Sequence, residues 1–167
     1  YTNADYQYYY SSAYASFVNN YGSYLSMFFD SSQDLDEQAF TATYLPDLPE
    51  GIDENSTWKD YFKALALQNM TEVTALYDEA MKAGYELSAE DEIDEIIASF
   101  DTAATSYGLR NAKAFVSFYY GKGNTVESVR ELLTRGYIAS GYAQQKFESF
   151  EYTQEELDAY YNEHADE

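Results

Sequence analysis

Apolar and polar positions recur with a helical period along most of the chain. In NADYQYYYSSAYASFVNNYGSYLSMFF, Tyr6, Tyr10, Ala13, Phe17, Tyr21, Tyr24 and Phe28 follow one another at three- and four-residue steps behind Asn3, a residue type that caps helices. This predicts a long amphipathic first helix with that stripe turned to a core. Tyr8 and Tyr9 fall off the stripe and are left as aromatic surface for binding. Thr57 with Asp60 has the spacing of a capping box and opens a second helix, with Phe62, Leu65, Ala66, Asn69, Val73, Leu76 and Ala80 on one face and Gly84 at its end. Asn69, in mid-stripe, is expected to be buried and bonded to its neighbours. Ser88 with Asp91 opens a third helix carrying Ile93, Ile96, Ile97, Phe100 and Ala104, closed by Gly108. A short amphipathic piece, NAKAFVSFYYG, comes next. Thr125 then caps a helix predicted to run through Phe150, its inner face made of Val126, Val129, Leu133, Gly136, Ser140, Ala143, Phe147 and Phe150. The small residues Gly136, Ser140 and Ala143 in that row predict a close crossing by another helix. Thr153 with Glu156 makes a last capping box, so a final helix is expected to start there.

Residues 30–55 break the period. They hold both prolines and clustered acids, and they read as an irregular loop. A calcium-binding loop counted from Asp30 would need glycine where Leu35 stands and glutamate where Thr41 stands, so an EF-hand is excluded. Hairpin signals and alternating runs are missing throughout. The expected fold is all-α, with about five or six helices and an irregular acidic loop after the first long one.

Composition adds one domain and one polarity. A chain of 167 residues can bury roughly 70% of its unfolded surface. The 46% hydrophobic and 19% aromatic content is that of a folded chain despite a net charge of −21. That charge is uneven: residues 1–58 carry nine acids and residues 147–167 carry eight, with no Lys or Arg in either segment. Nucleic acid is therefore excluded as a partner, because phosphate affinity comes from Lys and Arg displacing counterions. No run has the apolar length of a membrane helix, and no basic region followed by an apolar stretch marks a signal peptide. The chain opens on Tyr1 and not on Met, from which an upstream segment is expected.

Catalytic chemistry is hard to find. His164 is the only histidine and there is no cysteine, which leaves no Ser/His or Cys/His nucleophile system, no disulfide and no thiolate metal site. HExxH and the phosphate-cradling glycine loop are both missing. No active site, cofactor or metal is expected in this chain. With 30 acids, carboxylate pairs on helix faces arise by chance. The sequons at Asn55 and Asn69 carry no weight for the same reason.

The order of elements over residues 60–164 is more specific than any one of them. A helix ending YDEAMKAGYELS is followed by one ending SYGLRNAKAF, then by FYYGKGNTVESVRELLTRGYIASGYAQQKF, and last by YTQEELDAYYNEH. The Gly108-Leu109 pair, the Tyr120-Gly121 turn, the helix start at Arg130-Glu131-Leu132 and the Thr153 to Tyr161 segment make up this pattern. It resembles the N-terminal chaperone region of the SurA/PrsA group, the extracytoplasmic parvulin-type peptidyl-prolyl isomerases. The resemblance implies a helical chaperone domain over residues 1–152. Residues 153–167 would then be the start of a linker helix leading to a downstream isomerase domain. It further implies an extracytoplasmic protein, anchored to the membrane through a removed N-terminal segment. Isomerase activity would belong to the parent, since one histidine cannot supply the paired histidines of a parvulin site. In the family a helix returning from beyond the isomerase domain completes this region, so a fragment lacking it could form a homodimer by helix exchange.

The function expected on this resemblance is an ATP-independent chaperone or foldase that binds unfolded or extended polypeptides in a shallow aromatic groove. Tyrosine suits such work, with a rigid ring that covers apolar area and a hydroxyl that keeps its hydrogen bonds. Tyr8, Tyr9, Tyr14, Phe118, Tyr119 and Tyr120 are the candidate groove residues. The alternative is a non-catalytic surface module for adhesion or assembly that binds one folded partner.

Overall fold

The computed structural model describes residues 1–150, apart from Tyr44 and Pro46, together with Thr153 and Tyr160. The capping box expected at Thr153–Glu156 and the helix it would start lie outside the described residues. Those that are described form an all-α fold of five helices, with no strand: α1 (Asn3–Tyr21), α2 (Trp58–Lys82), α3 (Glu90–Ser106), α4 (Ala112–Tyr119) and α5 (Val126–Glu148).

The helix boundaries follow local chemistry, with three departures from the sequence reading. The cap of α1 is Thr2, not Asn3: its hydroxyl accepts the Asp5 N–H at 3.2 Å while the Asp5 carboxylate accepts the Thr2 N–H at 2.7 Å. The first helix is also shorter than its stripe, because Gly22 ends it at φ 46° and a 3-10 helix (Gly22–Met27) follows, leaving Tyr24 exposed. Ser88 does not cap α3. That helix starts one residue past Ala89 without a side-chain cap, and Glu90, Asp91 and Glu92 complement the dipole of its first turn instead. The Thr57–Asp60 and Thr125 caps form as expected. At Gly108, φ 68° puts the backbone in the left-handed region that glycine enters without penalty. The Gly108 N–H then bonds Thr105 O and the Leu109 N–H bonds Ala104 O, satisfying two orphan carbonyls of α3. Gly84 ends α2 in the same way, with the Tyr85 N–H on Ala80 O at 2.9 Å.

Two large aromatic-rich cores and a smaller one between α2 and α5 hold the helices together. Near the C-terminal half of α1, Phe17 lies against Phe28, Trp58, Tyr61 and Phe62 at centroid distances of 5.2 to 6.0 Å. Near its N-terminal half, Tyr8 and Tyr9 join Ala66, Phe100, Phe115, Val116 and Val129. With Phe17 against Trp58 and Tyr1 bonded to Thr74, α1 must run antiparallel to α2. Helix α5 runs parallel to α2, since Ala66 shares a core with Val129 and Ala80 another with Ile138 and Tyr142. The hairpin α3–α4 closes the side, helped by the Arg130–Asp94 pair at 2.6 Å between α5 and α3.

The acidic loop is irregular but fixed. An antiparallel bridge joins Ala39 to Thr57, Phe40 is buried against Trp58 and Tyr61, and the Lys59 N–H donates to Leu35 O. The Gln38 side chain accepts the Asp30 N–H and donates to Asp30 O and Gln33 O, so one amide clasps the whole turn. Asn69, expected to be buried, is half-buried.

Helix α5 is rotated from its expected face. Val129, Leu132, Ile138, Ala139 and Tyr142 are buried, whereas Phe147 is exposed because α2 stops at Lys82 and offers nothing to the last turn of α5, and Phe150, expected inside the helix, lies exposed beyond its end at Glu148. Nor does a helix cross at the small-residue row. Gly136 faces open space, and the close approach is at Gly141, where a β-carbon would run into the Tyr85 hydroxyl. Gly136→Ala should therefore raise stability by about 1 kcal/mol through helix propensity. Gly141→Ala should gain less or lose, and its deficit should vanish in a Tyr85→Ala background. Urea unfolding of the four variants checks this, and equal gains at both glycines would contradict the packing described.

Candidate functional site

A single helix can face a core on one side and a cleft on the other, and α1 does both. Steps of three and four residues place Ser11, Ala15, Val18 and Asn19 on one side, bordered by Tyr10 and Tyr14. The small residues keep that side low. Across from it stand Tyr107, at the C-terminus of α3, and Phe118 and Tyr119, at the end of α4. Between these walls runs an open furrow of about 380 Å3.

The walls differ in rigidity. Tyr14 is half-buried, its ring 5.2 Å from Phe62 and 6.2 Å from Phe29, so the second core holds it in place. Tyr119 stacks on Phe115 at 5.3 Å. Burial, with Tyr107 nearby as the lesser cause, pushes its phenol above the ordinary tyrosine value. Phe118 and Tyr107 are 62% and 56% exposed, although their rings meet at 5.8 Å. Large apolar side chains that stay in water beside a concave surface are the kind of surface that marks a binding site. Ser11 and Asn19 add hydrogen-bonding groups to the floor.

Of the six residues proposed from sequence, Tyr14, Phe118 and Tyr119 line this furrow. The other three do not. Tyr8 and Tyr9 are buried, at 9% and 5% exposure, and Tyr120 is half-buried with its ring stacked 5.2 Å from Tyr8. Their placement as free surface is corrected by the packing: α1 is covered by α2 on one side and by the core shared with α3, α4 and α5 on another, so residues off the main stripe are buried too. Tyr10, Ser11, Ala15, Val18, Asn19 and Tyr107 were missed. The low row Ser11, Ala15, Val18 between tyrosines was the available signal, since small residues on a helix face leave room for something else.

No group of three His, Cys, Asp or Glu that could hold a metal occurs among the described residues. No helix among them is long and apolar enough to cross a membrane. Comparison with protein-family models, with curated proteins and with solved structures finds no match for this chain.

The buried tyrosines carry a testable electrostatic signature. Burial pushes the phenols of Tyr9 and Tyr120 up to about 12 and that of Tyr8 higher still, against an ordinary value of 10.0. Unfolded, these groups lose their protons near 10; folded, they keep them to about 12. Between those values the unfolded state binds fewer protons, so stability falls as pH rises. From neutral pH the melting temperature should be level up to about pH 10 and drop from there to about pH 12, with Tyr120→Phe removing part of the drop. A Tyr120→Phe profile superimposable on the parent's would contradict this burial.

Proposed function

We propose that this chain is an ATP-independent chaperone or foldase module that holds extended, unfolded segments of exported proteins in the furrow between α1 and α4. On this reading it is the helical part of a larger extracytoplasmic, parvulin-type isomerase of the SurA/PrsA kind. The observation that carries the proposal is the exposed pair Tyr107 and Phe118 over a floor of Ser11, Ala15 and Val18.

Size and energy both favour a segment over a folded domain. At about 380 Å3 the furrow is at the small end of ligand pockets and has room for one or two side chains. Burying one large apolar side chain contributes about 1.5–3 kcal/mol. Two such contacts, less the cost of ordering the segment, come to a grip of about millimolar strength. A weak grip releases its client without a nucleotide, and a long unfolded chain that returns to the site repeatedly is held more tightly by effective concentration. Tyrosine hydroxyls around the furrow can bond backbone of any sequence, which gives tolerance.

The test uses residues that the cores do not need. Replacing Tyr107 and Phe118 together by Ala should reduce suppression of an unfolded client's aggregation about ten-fold or more, as expected when two ring contacts of about 0.5–1.5 kcal/mol each are lost while the floor remains, with the melting temperature nearly unchanged. Phe147→Ala, which removes an equally exposed ring on α5, should leave suppression intact. Unchanged suppression in the Tyr107/Phe118 variant, or binding to one native partner only, would favour the adhesion or assembly reading instead.

A further inference from the structure

The furrow does not end at Tyr10. This residue walls a second hollow of about 310 Å3, formed with Gln33, Asp34, Leu35, Asp36 and Lys59. Its chemistry is different from that of the first. Residues 30–37 carry Asp30, Asp34, Asp36 and Glu37, and Lys59 is the first base in the chain. That base is already engaged, with its ammonium 2.6 Å from Asp36. Asp34 is exposed and makes no ion pair among the described residues. The backbone that carries these carboxylates is held in place, because Gln38 clasps the turn and Leu35 is tied to the start of α2. Aromatic furrow and acidic hollow are thus neighbours across one tyrosine ring.

We infer that the furrow selects extended segments in which an aromatic residue stands two positions from a lysine or arginine. The inference rests on the furrow being the peptide site. In an extended chain, residues two apart place their side chains on the same face about 7 Å from each other. With the aromatic side chain in the furrow, the cationic one, which adds its own length to that spacing, lies on the Tyr10 side and is drawn towards Asp34. The ring face of Tyr10 adds a cation–π contact on the way. A net charge of −21 raises the local concentration of such segments before they dock, and it disfavours acidic ones.

Three short peptides that differ only in having Lys, Ser or Glu two positions from a phenylalanine separate the possibilities. Their affinities are read by chemical-shift titration of the isotope-labelled chain, following the amides of Ser11, Ala15 and Val18. The Lys peptide should bind about three- to ten-fold more tightly than the Glu peptide at low salt. Raising NaCl to about 0.5 M, which shortens the screening length several-fold, should nearly close the gap. Asp34→Lys, at an exposed position away from both cores, should abolish or invert it. If all three peptides shift the furrow amides with equal affinity, the basic preference is wrong and the peptide site stands. If none shifts them, the peptide site itself is wrong. A Lys preference that survives Asp34→Lys unchanged would overturn the role of the acidic hollow.

Discussion

The contact of Phe17 with the ring cluster of Trp58, Tyr61 and Phe62 determines where everything else lies. Removing a fully packed phenylalanine costs about 3–5 kcal/mol, a large share of the 5–15 kcal/mol that stabilises an ordinary domain. Phe28 and Phe29 close on the same cluster from the segment after α1, so the first 29 residues are fastened to the start of α2 mainly by aromatic contacts. No ion pair joins α1 to another helix among the described residues. Once Phe17 is fixed, the helical repeat leaves no freedom in the other positions of α1. Tyr8 and Tyr9 enter the second core, and Ser11, Ala15 and Val18 face away as the furrow floor.

This arrangement explains how one chain keeps rings both buried and wet. Tyrosine tolerates either state, but a buried hydroxyl must be desolvated, and the raised phenols of Tyr8, Tyr9 and Tyr120 are the consequence. Among the described residues the buried Trp58 indole N–H has no hydrogen-bond partner. Such groups cost free energy. The surrounding ring contacts must outweigh that cost, which is consistent with cores built from so many edge-to-face pairs.

Much of the fold was legible because caps and helix ends are local. Thr57 and Asp60, Thr125, Gly84 and Gly108 acted as their spacing predicted, and the five helices followed. What was not legible depends on partners distant in sequence. A single stripe on α1 accounts for one neighbour, whereas the helix has several, and for that reason Tyr8 and Tyr9 were misread as surface. The face of α5 was misplaced for a similar reason: Phe147 has the right period but lies past the end of α2. Tyr14, Phe118 and Tyr119, named as groove candidates on the resemblance, line the furrow, while Tyr107 could not be named, since only the turn at Gly108 brings the end of α3 alongside α4.

The role of the furrow depends on whether unfolded polypeptide occupies the space above Val18. A photo-reactive phenylalanine analogue at Val18, compared with one at Phe147, tests this directly. Position 18 should crosslink to a client while it is unfolded and lose the crosslinks once the client has refolded, and position 147 should give few. Equal yields from both positions, or none from position 18, would contradict that role.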